Sequence, residues 1–341
     1  MKVRKVRNWI TFAGVAVGAV GLWLGVRSFL PQRWKTNSWP QTEESPVPAR
    51  LADQSAPTVF PEVSVSFLRC GSITLLESIA IRGAGFAPCV ISHSAVLIRH
   101  PRATFLYDTG LCIDIYTYLT NQSFFFRKTL ANFTFERSLK ENLQQAGVGR
   151  NDLDFALLSH LHWDHVSGIP DIPGVLLRIN RVEYEAARLG LFEANHGLVR
   201  ELMGDNPVEF FDCAGPIYEG FRSSYDLFGD GSVVLVPLPG HTAGNTGMFI
   251  NRSNGPRLFL IGDAAWVSQN YLRPATMHPF IWSRVTSDDA TARQTLIQLH
   301  HFAGQHPEIP IVAMHDAALQ EAFMEGEQAQ VANVKSVKAQ E

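Results

Sequence analysis

The hydrophobic positions of this chain fall into three patterns. Short apolar runs bounded by Gly, Pro and polar residues, such as Ser94-Ala95-Val96-Leu97-Ile98 and Thr104-Phe105-Leu106-Tyr107, predict β-strands between about Val63 and Asp108. Ser138 to Ala146 carries a helical apolar spacing that Gly147 stops, and Arg181 to Leu189 predicts a second helix. Phe155-Ala156-Leu157-Leu158 is uniformly apolar, as a strand buried on both faces would be, and runs directly into His160. Gly231 to Pro237, Arg257 to Ile261 and Ile311-Val312-Ala313-Met314 predict strands that end shortly before His241, Asp263 and His315. Strands interspersed with helices imply an α/β fold of sheets covered by helices, with the chemistry gathered on loops at strand ends.

The third pattern is confined to the N-terminus. From Trp9 to Val26 the chain is uncharged and mostly apolar, and at 1.5 Å per residue a helix there would be roughly 27 Å long, close to a bilayer core of about 30 Å. Lys2, Arg4, Lys5 and Arg7 precede it, which predicts a cytoplasmic tail and an exported remainder, periplasmic in a bacterium. A signal peptide shares this design, so secretion after cleavage is the alternative. The length of the run and the lack of an A-x-A-like site favour an uncleaved transmembrane helix. The organisation expected is a tail and anchor over 1–30, a Pro-, Ser- and Thr-rich linker over 31–62, a catalytic domain over 63–324 and a polar tail over 325–341.

Composition narrows the picture further. The 341 residues are 46% hydrophobic and 18% charged, enough apolar material for a sizeable core. A net charge of -3 supplies no basic field for nucleic acid, which is excluded as the main partner; oligomeric state is not legible. Four cysteines, Cys70, Cys89, Cys112 and Cys213, stand outside every ligand motif, and in an exported domain they form up to two disulfides or remain buried thiols.

The chemistry lies in Ser159-His160-Leu161-His162-Trp163-Asp164-His165, followed far downstream by His241, Asp263 and His315. Imidazole and carboxylate without thiolate suit Zn²⁺ and other borderline divalent ions in a hydrolytic site. In extended chain, side chains two apart point the same way, so His160 and His162 can address one ion, with His241 completing it. Asp164 and His165 need a turn to reach a second ion with His315, and the two oxygens of Asp263 suit a bridge between them. Water shared by two Zn²⁺ ions would ionise near neutral pH, as the value of about 7 for zinc-bound water suggests, and would supply a bridging hydroxide as nucleophile. The other histidines, His93, His100, His196, His278, His300, His301 and His306, read as surface or core residues, with at most one or two near the pocket.

His-x-His-x-Asp-His at His160, His162, Asp164 and His165 resembles the hallmark of the metallo-β-lactamase superfamily, over about Ser64 to Ala317. The resemblance implies an αβ/βα four-layer sandwich with the site at one edge. It assigns His160, His162 and His241 to one metal, Asp164, His165 and His315 to the other, and Asp263 to the bridge. It also implies that Asp108, in Tyr107-Asp108-Thr109-Gly110, orients a ligand histidine. Ser159 to His165 and Gly262-Asp263-Ala264 look most like the branch of N-acyl-homoserine-lactone lactonases and related esterases. Antibiotic-hydrolysing members usually have cysteine where Asp263 stands, and flavodiiron members glutamate where His162 stands, so neither activity is expected.

The resemblance implies a dinuclear zinc hydrolase of small-molecule esters, lactones foremost, with Asp263 and Asp164 as its catalytic carboxylates. Its alternatives are a glyoxalase-II-like thioesterase, a phosphoesterase, and a non-catalytic metal-stabilised binding protein. Trp266 is a departure, because well-known lactonases have tyrosine three residues after the bridging aspartate, and an indole cannot replace the phenol's contacts. Trp266, Tyr271, Phe280 and Trp282 are pocket candidates. Phe124, Phe125, Phe126, Phe133 and Phe135 fill core or line an acyl pocket.

Overall fold

The computed structural model describes residues 28–31, 59–189 and 197–326. Among them, strands β1 (Ser64–Leu76), β2 (Pro88–His100), β3 (Ala103–Tyr107), β4 (Thr134–Phe135), β5 (Phe155–Leu158), β6 (Leu176–Asn180) and β7 (Val208–Phe211) form a first sheet. Strands β8 (Tyr225–Asp226), β9 (Val233–Pro237), β10 (Thr246–Ile250), β11 (Leu258–Leu260) and β12 (Ile311–Val312) form a second. The first runs β4-β1-β2-β3-β5-β6-β7, with β3, β5, β6 and β7 parallel. The second runs β12-β11-β10-β9-β8, antiparallel except where β11 meets β12.

Side-chain alternation along the strands builds the layers. Phe105 and Tyr107 of β3, Phe155 and Leu157 of β5, and Val233 and Leu235 of β9 point between the sheets into one core. Leu106, Ala156 and Leu158 point the other way, onto a core shared with Leu139 and Leu143 of helix Leu139–Gln145. Val234 and Val236 of β9 meet Ala292, Leu296, Leu299 and Phe302, one face of helix Asp289–Gln305. Three cores separate helix, sheet, sheet and helix, the arrangement expected. The expected helix at Ser138 to Ala146 begins at a capping box, where Ser138 and Glu141 satisfy each other's backbone N–H.

β3, β5, β9, β11 and β12 all deliver their C-terminal ends to one edge of the sandwich. There Tyr107 Oη donates to Thr246 O at 2.6 Å, and Thr246 N donates to Ser159 O at 2.9 Å, joining the two sheets. All four cysteines are free thiols, so the disulfides offered as an alternative do not form. Burial pushes Cys70 and Cys112 up to about 12. Among the described residues no helix is long and apolar enough to cross a membrane. The anchor expected over residues 9–26 lies outside the described residues.

Candidate metal centre

β5 ends at Leu158, and the chain continues extended through His162, whose φ of -82° and ψ of 154° place it at the N-cap of helix Trp163–Val166. That helix supplies the turn that Asp164 and His165 require. His241 follows β9, Asp263 follows β11 and His315 follows β12, so all seven residues meet at the shared edge. Gly262 makes the approach possible: a Cβ there would lie 2.4 Å from Asn245 Oδ1, and its φ of +53° favours glycine.

One ligand atom from each of His160, His162, His241 and Asp263 lies within 4.8 Å of the others, and the same holds for His165, Asp263 and His315. Asp164 joins His315, with Oδ2 to Nε2 at 3.4 Å. It also joins His93, with Oδ2 to Nδ1 at 3.4 Å, a neighbour that sequence reasoning treated as ordinary. His93 is buried edge-on against Phe133 and His315, with Trp163 beside it. The available signal was a histidine between two serines inside an otherwise apolar strand.

Hydrogen bonds select which ring nitrogen faces the cluster. Asp108 Oδ1 accepts from Ser159 N at 2.7 Å, and its Oδ2 accepts from Ser159 Oγ at 2.8 Å. A hydroxyl has one proton to give, so Ser159 Oγ then accepts from His160 Nδ1 at 3.0 Å. His165 Nδ1 donates to Asp108 Oδ2 at 2.8 Å, and His315 Nδ1 to the Ser92 carbonyl at 2.6 Å. Each ring is thereby left with Nε2 as a lone pair aimed inward. Asp108 thus fixes the His165 ring, from a left-handed backbone with φ of 56°.

These donors fit a divalent cation. His160 Nε2, His165 Nε2 and Asp263 Oδ1 are buried without a hydrogen-bond partner, the last two 3.3 Å apart, a costly state unless a cation accepts their lone pairs. His162 Nδ1 and His241 Nε2 face each other at 2.9 Å, close enough to share one ion. Burial holds His160 and His162 well below the usual imidazole range and brings His241 to about 4, so these rings are neutral donors. Burial would also lower His165 and His315, but Asp263 and Asp164, joined by Asp108 at His165, reverse the direction and raise both. Burial would raise Asp263, yet His315 and His165 hold it well below the usual carboxylate range. The carboxylates thus draw positive charge into this volume. Nitrogen and carboxylate donors without sulfur suit zinc and its neighbours.

Glu183, which the sequence reading did not single out, braces the site. Its buried carboxylate accepts from Leu161 N at 2.8 Å through Oε1 and from Gly244 N at 2.8 Å through Oε2. It thereby ties the loop of His160 and His162 to the loop of His241. Trp266 also has an assigned partner: its Nε1 donates to Asp263 Oδ2 at 3.2 Å, so the indole holds the carboxylate.

A cavity of about 780 Å³ opens above the cluster, with apolar walls that include Ile73, Leu75, Phe125, Leu130 and Ile281. Trp266 is among the residues that line it. Tyr271 does not: it is buried behind the site, where its hydroxyl donates to Ile311 O at 2.8 Å. The phenylalanine group divides. Phe126 and Phe133 pack against Trp163 as core, Phe125 and Phe126 line the cavity, and Phe124 stands exposed.

The sequence profile of the Metallo-beta-lactamase superfamily matches residues 90–293. The "Probable metallo-hydrolase Rv2300c" of Mycobacterium tuberculosis is 25% identical over 289 residues, covering 76% of this chain and 82% of that protein. The N-acyl homoserine lactonase AttM of Agrobacterium fabrum is 28% identical over 179 residues, covering 52% of this chain and 63% of the lactonase. Among solved structures, a Bacillus thuringiensis AiiA variant with N-decanoyl-L-homoserine at its active site shares the fold at a TM-score of 0.58 and 19% identity, over 77% of this chain and 96% of that one. The dizinc lactonase AidC in complex with its product gives 0.53 at 17% identity, over 76% of this chain and 89% of that one.

Proposed function

This chain belongs to the metallo-beta-lactamase superfamily and is a metallo-hydrolase, and from that premise we propose that it opens ester bonds, lactones foremost, at a centre of two zinc ions. The observation that carries this reading is the convergence of buried, unpartnered nitrogen and oxygen atoms on the floor of a largely apolar cavity. His160, His162 and His241 would hold one ion, Asp164, His165 and His315 the other, and Asp263 both. When bound, such ions supply Lewis acidity at the carbonyl and lower the pKa of water within reach.

The chain's own groups do the rest. Asp263 is held ionised, with Trp266 Nε1 donating to Oδ2, and its carboxylate relays the proton released as water attacks to the leaving ring oxygen. Asp164, between His93 and His315, keeps the second half of the cluster in register. Leu75, Phe125, Leu130 and Ile281 exclude bulk water and accommodate an acyl portion. Arg284 is the one lysine or arginine among the described residues lining the cavity, which favours a neutral carbonyl ester over a phosphate ester. The lactonases among the relatives, one of them with acyl-homoserine bound, support a lactone as substrate.

The test is metal content by mass spectrometry together with a pH-indicator screen of lactones, aryl esters, thioesters and phosphotriesters. About two zinc per chain and lactone turnover are expected, as dinuclear sites of this chemistry require. Protein without stoichiometric metal, or His162→Ala and Asp263→Ala variants that hydrolyse like wild type, would sink the reading. Bound metal with no turnover of any class would favour a binding protein instead.

The apolar run over residues 9–26, behind its cluster of lysine and arginine, supports an uncleaved anchor that holds the catalytic domain outside the cytoplasm. Protease protection in intact cells tests this: the domain is expected to be digested from outside and to sediment with membranes. Release into the medium would mean that the segment is cut.

A further inference from the structure

The described residues nearest the apolar run are Ser28 to Pro31, and they pack on the N-cap of a helix that walls the cavity. Ser28 Oγ meets His278 Nε2 at 2.9 Å, and the Phe29 ring lies 4.6 Å from the His278 ring and 6.0 Å from Phe86. Arg82 Nε donates to Leu30 O at 3.3 Å. Gly83 admits Pro31 closely, since a Cβ there would stand 2.6 Å from the Pro31 Cα. His278 is also the N-cap of helix Pro279–Val285, its ring nitrogen accepting from Phe280 N. That helix contributes Ile281, Arg284 and Val285 to the cavity wall.

The same rim carries aromatic side chains turned to the outside. Phe86 is 69% exposed and Phe124 71%, with Phe29, Leu30, Phe125 and Phe280 also exposed. Phe86 touches Phe29 and Phe29 touches His278, two positions before Phe280 in the chain; Phe280 packs at 6.0 Å from Phe125, whose chain neighbour is Phe124. The Arg284 guanidinium stacks 3.6 Å above Phe280, and Arg127 and Lys128 are exposed beside Phe124 and Phe125. Single exposed apolar residues are ordinary, but a contiguous aromatic band edged with basic side chains is the composition of a surface that sits in a lipid headgroup layer.

We propose that this aromatic rim rests on the bilayer, so that the cavity mouth opens onto the membrane surface and receives amphiphilic esters or lactones directly from the lipid. The inference rests on the anchor and on the hydrolytic reading proposed above. Its geometry is economical: the chain enters the described fold at Ser28, immediately after the apolar run, and at that point it touches the helix that walls the cavity. Were residues 9–26 to span a bilayer, as proposed above, Ser28 would follow it in the chain within a few residues and basic side chains would meet its anionic headgroups. Phe125 and Arg284 belong to both the rim and the cavity wall, giving an acyl chain a continuous apolar path from lipid to metal cluster.

The test uses the full chain in vesicles of phosphatidylethanolamine and phosphatidylglycerol, comparing wild type with the Phe86→Ser/Phe124→Ser double variant; neither residue lines the cavity. Two substrates are compared, water-soluble γ-butyrolactone and γ-tetradecalactone dissolved in the vesicles. The double variant is expected to turn over the soluble lactone within about twofold of wild type and the vesicle-borne lactone at least about fivefold more slowly, the loss expected when interfacial aromatic anchors are removed. Equal effects on the two substrates would overturn the proposal. An independent readout needs no activity: an environment-sensitive fluorophore on Phe86→Cys, in a chain carrying Cys89→Ser and Cys213→Ser, is expected to shift to the blue and become quenchable by nitroxide-labelled lipid. A fluorophore that stays in water overturns the proposal, whereas lipid burial without turnover of either lactone would leave the membrane seat standing and refute the lactonase reading.

Discussion

Asp108→Asn isolates the hydrogen bonds that aim His165 at the cluster. Asparagine matches the shape of aspartate and is among the few side chains that tolerate a left-handed backbone, so the φ of 56° at this position is preserved. What changes is acceptor count. Asp108 accepts from Ser159 N, Ser159 Oγ and His165 Nδ1 through two oxygens, and asparagine has one. If that oxygen keeps Ser159 N, the new amide faces Ser159 Oγ and His165 Nδ1. The hydroxyl can rotate to accept. His165 can accept only by moving its proton to Nε2, the atom that must offer a lone pair inward. Losing such an orienting partner costs about 10- to 100-fold in metal affinity, or roughly 1.4 to 2.8 kcal/mol. The measurement is competition with a chromophoric zinc chelator, alongside circular dichroism to establish the fold. On the proposed two-ion reading, the ion that His165 would help hold is expected to weaken by that factor while the one assigned to His160, His162 and His241 changes by less than about threefold. Wild-type affinity for both ions in a folded variant would refute the argument that Asp108 sets the His165 tautomer.

Glu183→Gln should destabilise the protein by about 1 to 3 kcal/mol, because a glutamine amide cannot accept from both Leu161 N and Gly244 N and one buried N–H loses its partner; an unchanged urea midpoint would contradict this. Trp266→Phe frees Asp263 Oδ2 from the indole and should lower kcat by roughly tenfold with KM little altered, as loss of one orienting hydrogen bond near reacting atoms implies; a change confined to KM would place Trp266 in substrate binding instead. In native protein near pH 8, Cys70 and Cys112 should stay silent to a thiol reagent and react only in denaturant. The sign of their pH effect follows from burial: unfolded thiols ionise near their ordinary value of 9 while these two hold their protons to about 12. Their contribution to stability is therefore present below pH 9 and lost as pH rises toward 12. A thermal midpoint that climbed over that interval would reverse the assignment.

Sequence alone determined the elements and the seven residues that meet at the sandwich edge, because both are written in short-range spacing. Phe155 to Leu158 reads as a buried strand, and the histidines and carboxylate packed behind it have few structural explanations other than a metal. His241, Asp263 and His315 were legible for the same reason, each standing just past an apolar run. Tertiary structure alone decided the rest, since it depends on contacts between distant segments. His93 comes to Asp164 from a strand far earlier in the chain, and Glu183 binds two loops at once from a helix whose local pattern is ordinary. Trp266 and Tyr271 looked equivalent as aromatic residues following Asp263. The start of helix Ser268–Leu272 separates them, sending the indole to Asp263 and the phenol to the Ile311 carbonyl behind the site. Periodicity reports which face of an element is apolar, but only packing decides what that face, and each polar atom on it, finally meets.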